Sequence, residues 1–138
     1  MSKEAENKAV VGRWFTHFWG KSRAGKWIVK RKTAKDRFRR ALKRVAAWCR
    51  EHRHDAVRTQ WQALSRKLRG HFEYYGITGN SAHLQRFRFE VTNVWRKWLD
   101  RRSQRACMSW ERMRKLLERY PLPPPRITHP LLPRAANP

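Results

Sequence analysis

Leu68-Arg69-Gly70-His71-Phe72-Glu73-Tyr74-Tyr75-Gly76-Ile77-Thr78-Gly79-Asn80 is the stretch on which the fold turns. Its first half continues a helical apolar spacing through Val57, Trp61, Leu64, Leu68 and Phe72. Its second half supplies Gly76, Gly79 and Asn80, residues that interrupt helices because they adopt backbone conformations others avoid. The spacing predicts a helix over about 55–75 with Asp55 as N-cap and Gly76 as the C′ residue. A break and a new helix from Ser81 follow. Gly70 falls inside the first of these helices, at a cost of about 1 kcal/mol against Ala. Such a position points to close approach of another backbone, of protein or RNA.

Working outward, the helix from Ser81, over about 81–102, places Leu84, Phe87, Val91, Val94 and Trp98 on one stripe. It ends in Arg101-Arg102-Ser103-Gln104-Arg105, where cations suit the negative end of the helix dipole. A shorter helix over about 109–120 takes Ser109 as N-cap and uses Trp110, Met113, Leu116, Leu117 and Tyr120. All seven prolines lie in residues 121–138, which read as an extended tail or wrapped arm. Upstream, a helix over about 33–53 starts at Thr33, with Asp36 in a capping-box-like place and Phe38, Leu42, Val45 and Cys49 at helical spacing. Residues 14–32 read as a β-hairpin, because Trp14–Trp19 and Trp27–Val29 are aromatic or β-branched and the segment between them, 20–25, is turn-forming. A lone hairpin is marginal in water and has to pack on the helices or on another chain. The expected fold is mainly α: an N-terminal β-hairpin, a bundle of three long helices and one shorter helix, and an extended Pro-rich tail. Residues 1–12 form an unmatched leader and 13–120 one domain. Trp48, Trp61, Trp95, Trp98 and Trp110 fit helix packing better than base stacking.

The 138 residues hold 34 Lys+Arg against 10 Asp+Glu, a formal net charge of +24. At 40% hydrophobic with 12% aromatic, the chain is too apolar for a purely disordered basic tail. So large a charge points to a polyanionic partner. Arg outnumbers Lys 23 to 11, and its planar fork holds phosphate oxygens in pairs and stacks on bases. Residues 21–69 carry +15 of the total, against +8 in 70–138 and +1 in 1–20. Much of it lies on one side of the first helix, at Arg39, Arg40, Lys43, Arg44 and Arg50. Like charges at helical spacing repel, and an anionic partner offsets that cost.

The chemistry of catalysis does not assemble in this sequence. Two-metal sites need clustered carboxylates, whereas here the acids are scattered, most of them singly. There is no Gly-rich phosphate loop and no spacing that couples a nucleophile to a base. Cys49 and Cys107 read as two reduced thiols, and Cys49 with His52 and His54 lacks the paired-ligand spacing of zinc sites. No metal or cofactor is expected, and the chain reads as a binder and not an enzyme. No run of about 18 apolar residues exists to span a membrane, and the N-terminus lacks signal-peptide character. The expected location is the bacterial cytoplasm, or an organelle in a eukaryote, without secretion or membrane contact.

Several stretches resemble one family in order and spacing over about residues 13–129. They are Phe15-Thr16-His17, Arg31-Lys32-Thr33, residues 68–80, Arg101-Arg102-Ser103-Gln104-Arg105, Trp110-Glu111-Arg112 and Pro121-Leu122-Pro123-Pro124-Pro125-Arg126-Ile127. Together they look like the maturase-specific region of group II intron-encoded reverse transcriptases, the helical thumb or domain X. Two departures accompany the match. Gly12-Arg13-Trp14-Phe15 stands where the family has Phe-Leu-Gly-Phe, and the fingers and palm with their paired aspartates are missing from these residues. Reverse transcription is therefore not carried over.

The resemblance implies binding of structured intron RNA and assistance to its splicing-competent folding, with the splicing chemistry belonging to the RNA. An RNA/DNA template–primer duplex and a separate reverse transcriptase domain are the further implied partners. On this reading Lys30, Arg31, Lys32, Arg39, Arg40, Lys43, Arg44, Arg69, Arg101, Arg102, Gln104 and Arg105 contact RNA, chiefly at phosphate. Tyr74, Tyr75 and Asn80 are candidates for sugar or base contacts, with helix-end packing or a turn role as the alternative for each. The second reading is a truncated remnant or split thumb module that works only with a separate reverse transcriptase domain, docked through the aromatic hairpin.

Overall fold

A computed structural model of the chain describes residues 14–129. Strand β1 (Phe15–Lys21) and strand β2 (Trp27–Thr33) pair antiparallel, in register from Phe15↔Thr33 to Lys21↔Trp27. Side chains alternate across a strand, so Thr16, Phe18, Lys30 and Lys32 share one face, and His17, Trp19, Val29 and Arg31 the other. Only the base of the hairpin packs. Phe15 meets Tyr75 edge-on at 5.7 Å, and the Trp14 carbonyl accepts from the Ala34 N–H.

Helix α1 (Lys35–Glu51) begins one residue later than the capping-box reading of Thr33 requires. Its N-cap is Ala34, with no side-chain hydrogen bond. Thr33 stays in β2 and is buried, because a better partner exists across the chain. The Thr33 N–H donates to Asn80 Oδ1 at 2.8 Å. Asn80 Nδ2 in turn donates to Thr33 Oγ1 at 2.8 Å and to the Tyr75 carbonyl at 2.9 Å. One buried amide thereby ties the hairpin to the break between the next two helices.

Helix α2 (Val57–Tyr75) is likewise not capped by Asp55. Its N-cap is Ala56, while the Asp55 carboxylate takes His52 Nδ1 at 2.8 Å. Helix α3 (Ser81–Asp100) carries most of the core: Leu84, Phe87, Val91, Trp95 and Leu99 are buried. The expected stripe is correct at its start but drifts at its end. Trp95 and not Trp98 is interior, since its indole N–H donates to the buried Gln60 Oε1 at 3.0 Å. Trp98 lies half-buried among Arg50, Lys97 and Arg101. Helix α4 (Trp110–Arg119) starts as expected, with Ser109 Oγ accepting from the Arg112 N–H at 3.2 Å.

The core joins Val45 and Cys49 of α1, Leu64, Leu68 and Phe72 of α2, the α3 stripe, Met113 of α4 and Leu122. Leu122 belongs to the Pro-rich segment, of which 121–129 are described and 130–138 lie outside the described residues. The described part is a wrapped arm. Trp61 Nε1 donates to the Pro121 carbonyl, and the Thr128 and His129 N–H groups donate to the Gly76 carbonyl. Gly76 is required here by crowding and not by a left-handed backbone: its φ is −78°. A Cβ there would stand 2.3 Å from the Phe72 carbonyl oxygen and 2.7 Å from that of Arg126. Gly79 supplies the left-handed step, with φ of 92°. The leader, 1–12, also lies outside the described residues.

Candidate nucleic-acid interface

The segment Lys30–Lys43 packs cations against one another before any partner is considered. The first acidic residue after Trp14 is Asp36. Where β2 hands over to α1, two adjoining clefts of about 550 and 640 Å³ share Thr16, Lys35 and Arg39. Arg40 and Lys43 complete the first, while Lys32, Phe38, Leu42 and, from α3, His83 and Arg86 line the second. The groove thus runs across the hairpin base, along the start of α1 and onto α3. Asp36 and Glu90 are the acids on its walls.

Nothing inside the described residues neutralises these cations by ion pairing. Among the described residues the ion pairs are His52–Asp55 and Lys115–Glu111. His83 feels the field: burial first, then Lys32 and Arg86, lower its pKa from the ordinary imidazole value. Elsewhere arginines are spent on backbone carbonyls. Arg53 caps the Arg50 carbonyl, Arg88 that of Leu122, Arg96 that of Met108, Arg102 that of Asp55 and Arg112 that of Cys107. A guanidinium donating to a backbone carbonyl, part-buried for Arg88, Arg96 and Arg102, is a structural tie.

The expected contact residues separate into groups. Lys32, Arg39, Arg40 and Lys43 line the groove. Lys30 shares the Lys32 face of the hairpin, whereas Arg31 projects from the opposite one. Arg44 lies on the side of α1 nearer Tyr75, whose ionisation it influences. Arg69 lines separate clefts beside the Pro-rich arm. Arg101, Gln104 and Arg105 are exposed past the end of α3. With Arg102 hydrogen-bonded to the Asp55 carbonyl at 3.1 Å, that cluster sits by the α1–α2 turn. It is at the end of α1 away from the hairpin, and the 17 residues of that helix span roughly 25 Å.

Two expected contacts are corrected. Asn80 is 0% exposed, with its side-chain oxygen and nitrogen both engaged, and holds the hairpin to the helix break. Tyr75 is 8% exposed, and burial followed by the neighbouring Tyr74 raises its phenol pKa. Both are interior residues because the break folds back onto the hairpin. Tyr74 is 53% exposed and stays on the surface.

Lys35 and Arg86 belong to the groove but were not among the expected contacts. Lys35 lies four residues before Arg39, on the same helix face, so periodicity carried that signal. Arg86 carried none: it adjoins the core residue Phe87, and only the packing of α1 on α3 brings it across. The thiols are unpaired, Cys107 exposed and Cys49 buried, with burial pushing the Cys49 pKa up to about 12. No helix among the described residues is long and apolar enough to cross a membrane. Compared with known proteins, the chain matches no family model, no curated protein and no solved structure.

Proposed function

We propose that this chain binds structured RNA, with a group II intron RNA as the target and its splicing-competent folding as the outcome. One observation carries RNA binding: the continuous groove of Lys32, Lys35, Arg39, Arg40, Lys43 and Arg86, without an ion pair among the described residues. Cations held side by side in this way repel until phosphates enter, and counterion release then drives association. A groove between a strand end and two helices matches backbone shape better than base edges, as structured RNA requires. The intron as target rests on the sequence resemblance. On this reading the protein neutralises phosphates that folding brings together and supplies no catalytic step of its own.

Competition binding at physiological salt tests it. A folded intron RNA is expected to displace an unstructured RNA of equal length. Equal affinity for both, with equally steep salt dependence, would leave only a nonspecific polyanion binder.

The hairpin tip supports the second reading, a module that docks on a separate reverse transcriptase domain. Trp19 and Trp27 are 70% and 65% exposed, and Val29 is exposed on the same face. Contiguous exposed apolar surface of this kind marks interaction sites. Co-purification with a co-expressed polymerase domain, lost on Trp19→Ser/Trp27→Ser, is the result it requires.

A further inference from the structure

Helix α2 has an outward face that the groove does not use: no α2 residue lines either groove cleft. At helical spacing, Gly70 sits at the centre of that face, with Arg66 and Lys67 one turn before it and Glu73 and Tyr74 one turn after. All five positions are exposed. A glycine in a helix interior is costly against alanine, and among the described residues nothing outside its own helix backbone compensates, since a Cβ at Gly70 would meet none of their other atoms within 4 Å. The close approach that the sequence leads one to expect is therefore not made by the described residues of the chain itself.

Beside the glycine the surface is built. Arg66 and Arg69 line a cleft of about 310 Å³ with Trp61, Gln62 and Ser65. Ser65 is 3% exposed, and its hydroxyl is buried without a hydrogen-bond partner. Trp61 and Arg69 continue into a larger cleft of about 770 Å³ between α2 and the arm, with Phe72, Glu73 and Arg126 on its walls. The arm is pinned on both sides of that cleft, by Trp61 on the Pro121 carbonyl and by Thr128 Oγ1 on the Glu73 carbonyl.

We infer that the outward face of α2 is a second RNA contact, separate from the groove, at which a phosphodiester backbone crosses the helix over Gly70. Arg66 and Arg69 neutralise its phosphates, and the absent side chain lets the backbone approach the helix. The adjoining cleft, apolar-floored and rimmed by Arg69 and Arg126, accepts one unpaired nucleotide. Charge selects RNA over a protein partner: Arg66, Arg69 and Arg126 line the two clefts, with Glu73 the one acid on their walls. This contact rests on the RNA-binding function proposed above and extends it to a second surface.

The test uses the full chain and a folded intron RNA, reading thermal unfolding beside RNA affinity. Gly70→Ala is expected to raise Tm by about 4 °C, as a relieved helix interior should. The same substitution weakens RNA binding several-fold, and Gly70→Gln weakens it further. Opposite movement of stability and affinity is a result that a purely structural glycine cannot give. Arg66→Gln/Arg69→Gln is expected to lower the salt slope by about 1.5 to 2, for two phosphate contacts. If all three variants bind RNA with wild-type affinity and salt slope, the α2 contact is overturned and a partner polypeptide becomes the occupant of this face. If the unaltered chain shows no preference for folded RNA, the proposed function fails first, and the second contact fails with it.

Discussion

Cations lie at both ends of α1, and they differ in what they do. At the end where β2 hands over, Lys32, Lys35, Arg39, Arg40 and Lys43 line an open groove and make no ion pair among the described residues. At the other end Arg53 and Arg102 close the turn between α1 and α2 by donating to backbone carbonyls. Formal charge alone does not tell the two kinds of cation apart. A guanidinium committed to a carbonyl is still positive, but its donors and position are set by the fold, whereas an uncommitted one is free to follow a phosphate. The number that matters for binding is that of uncommitted cations.

Four experiments would break or sharpen that contrast. The largest effect should come from the groove. Arg39→Gln/Arg40→Gln/Lys43→Gln removes three phosphate contacts, lowers the salt slope by about 2.7 and costs about a hundred-fold in RNA affinity at physiological salt. Stability should hold or rise slightly, since repulsion along α1 is relieved. Filter binding over a salt series, with thermal unfolding alongside, reads both.

Next comes the clamp beneath the groove. Asn80→Ala leaves the Thr33 N–H, the Thr33 hydroxyl and the Tyr75 carbonyl without their partner. Losing a buried side chain with three hydrogen bonds should cost about 3 kcal/mol in denaturant unfolding. A cost below about 1 kcal/mol would show that the hairpin is not held by this amide.

Acid should act on the same end. His71 stacks flat on Phe87 at 3.6 Å with its Nε2 buried and unpartnered, and burial lowers its pKa to about 4. The folded state therefore binds this proton less readily than the unfolded chain, whose histidine titrates near pH 6.5. The stabilisation is complete above pH 6.5 and is lost as pH falls from 6.5 towards 4, by up to roughly 3 kcal/mol. His71→Phe should flatten the stability profile in that window. An unchanged profile would assign the acid sensitivity to other groups.

The smallest effect belongs to the far end. Arg102→Gln should cost about 1 kcal/mol of stability, as a part-buried carbonyl loses its donor, and leave the RNA salt slope unchanged. A fall in the slope by about 1 would mean that the two ends of α1 act alike, and the contrast would collapse.

Legibility in the sequence tracked how local the cause was. The order hairpin, three long helices and a short one was readable because apolar periodicity and glycine breaks act within a few residues. Ser109 as the α4 N-cap was readable for the same reason. Thr33 and Asp55 were misread as caps although their local patterns were good, because each had a stronger partner. For Thr33 that partner was Asn80, 47 residues away, and for Asp55 it was His52 in the turn. Of the groove, Lys32, Arg39, Arg40 and Lys43 were readable from one-sided charge on one segment, while Arg86 was not.

The sequence by itself determined the secondary elements, the excess of cations and their concentration in residues 21–69, since composition and periodicity are properties of the chain alone. Tertiary structure alone decided which of those cations stay uncommitted. Packing α1 on α3 brought Arg86 to the groove, folding the break onto the hairpin took Tyr75 and Asn80 into the interior, and wrapping the arm over α2 made the second cleft. Each of these depends on where distant backbone carbonyls and apolar faces must be satisfied, and that is settled only when the whole chain closes on its core.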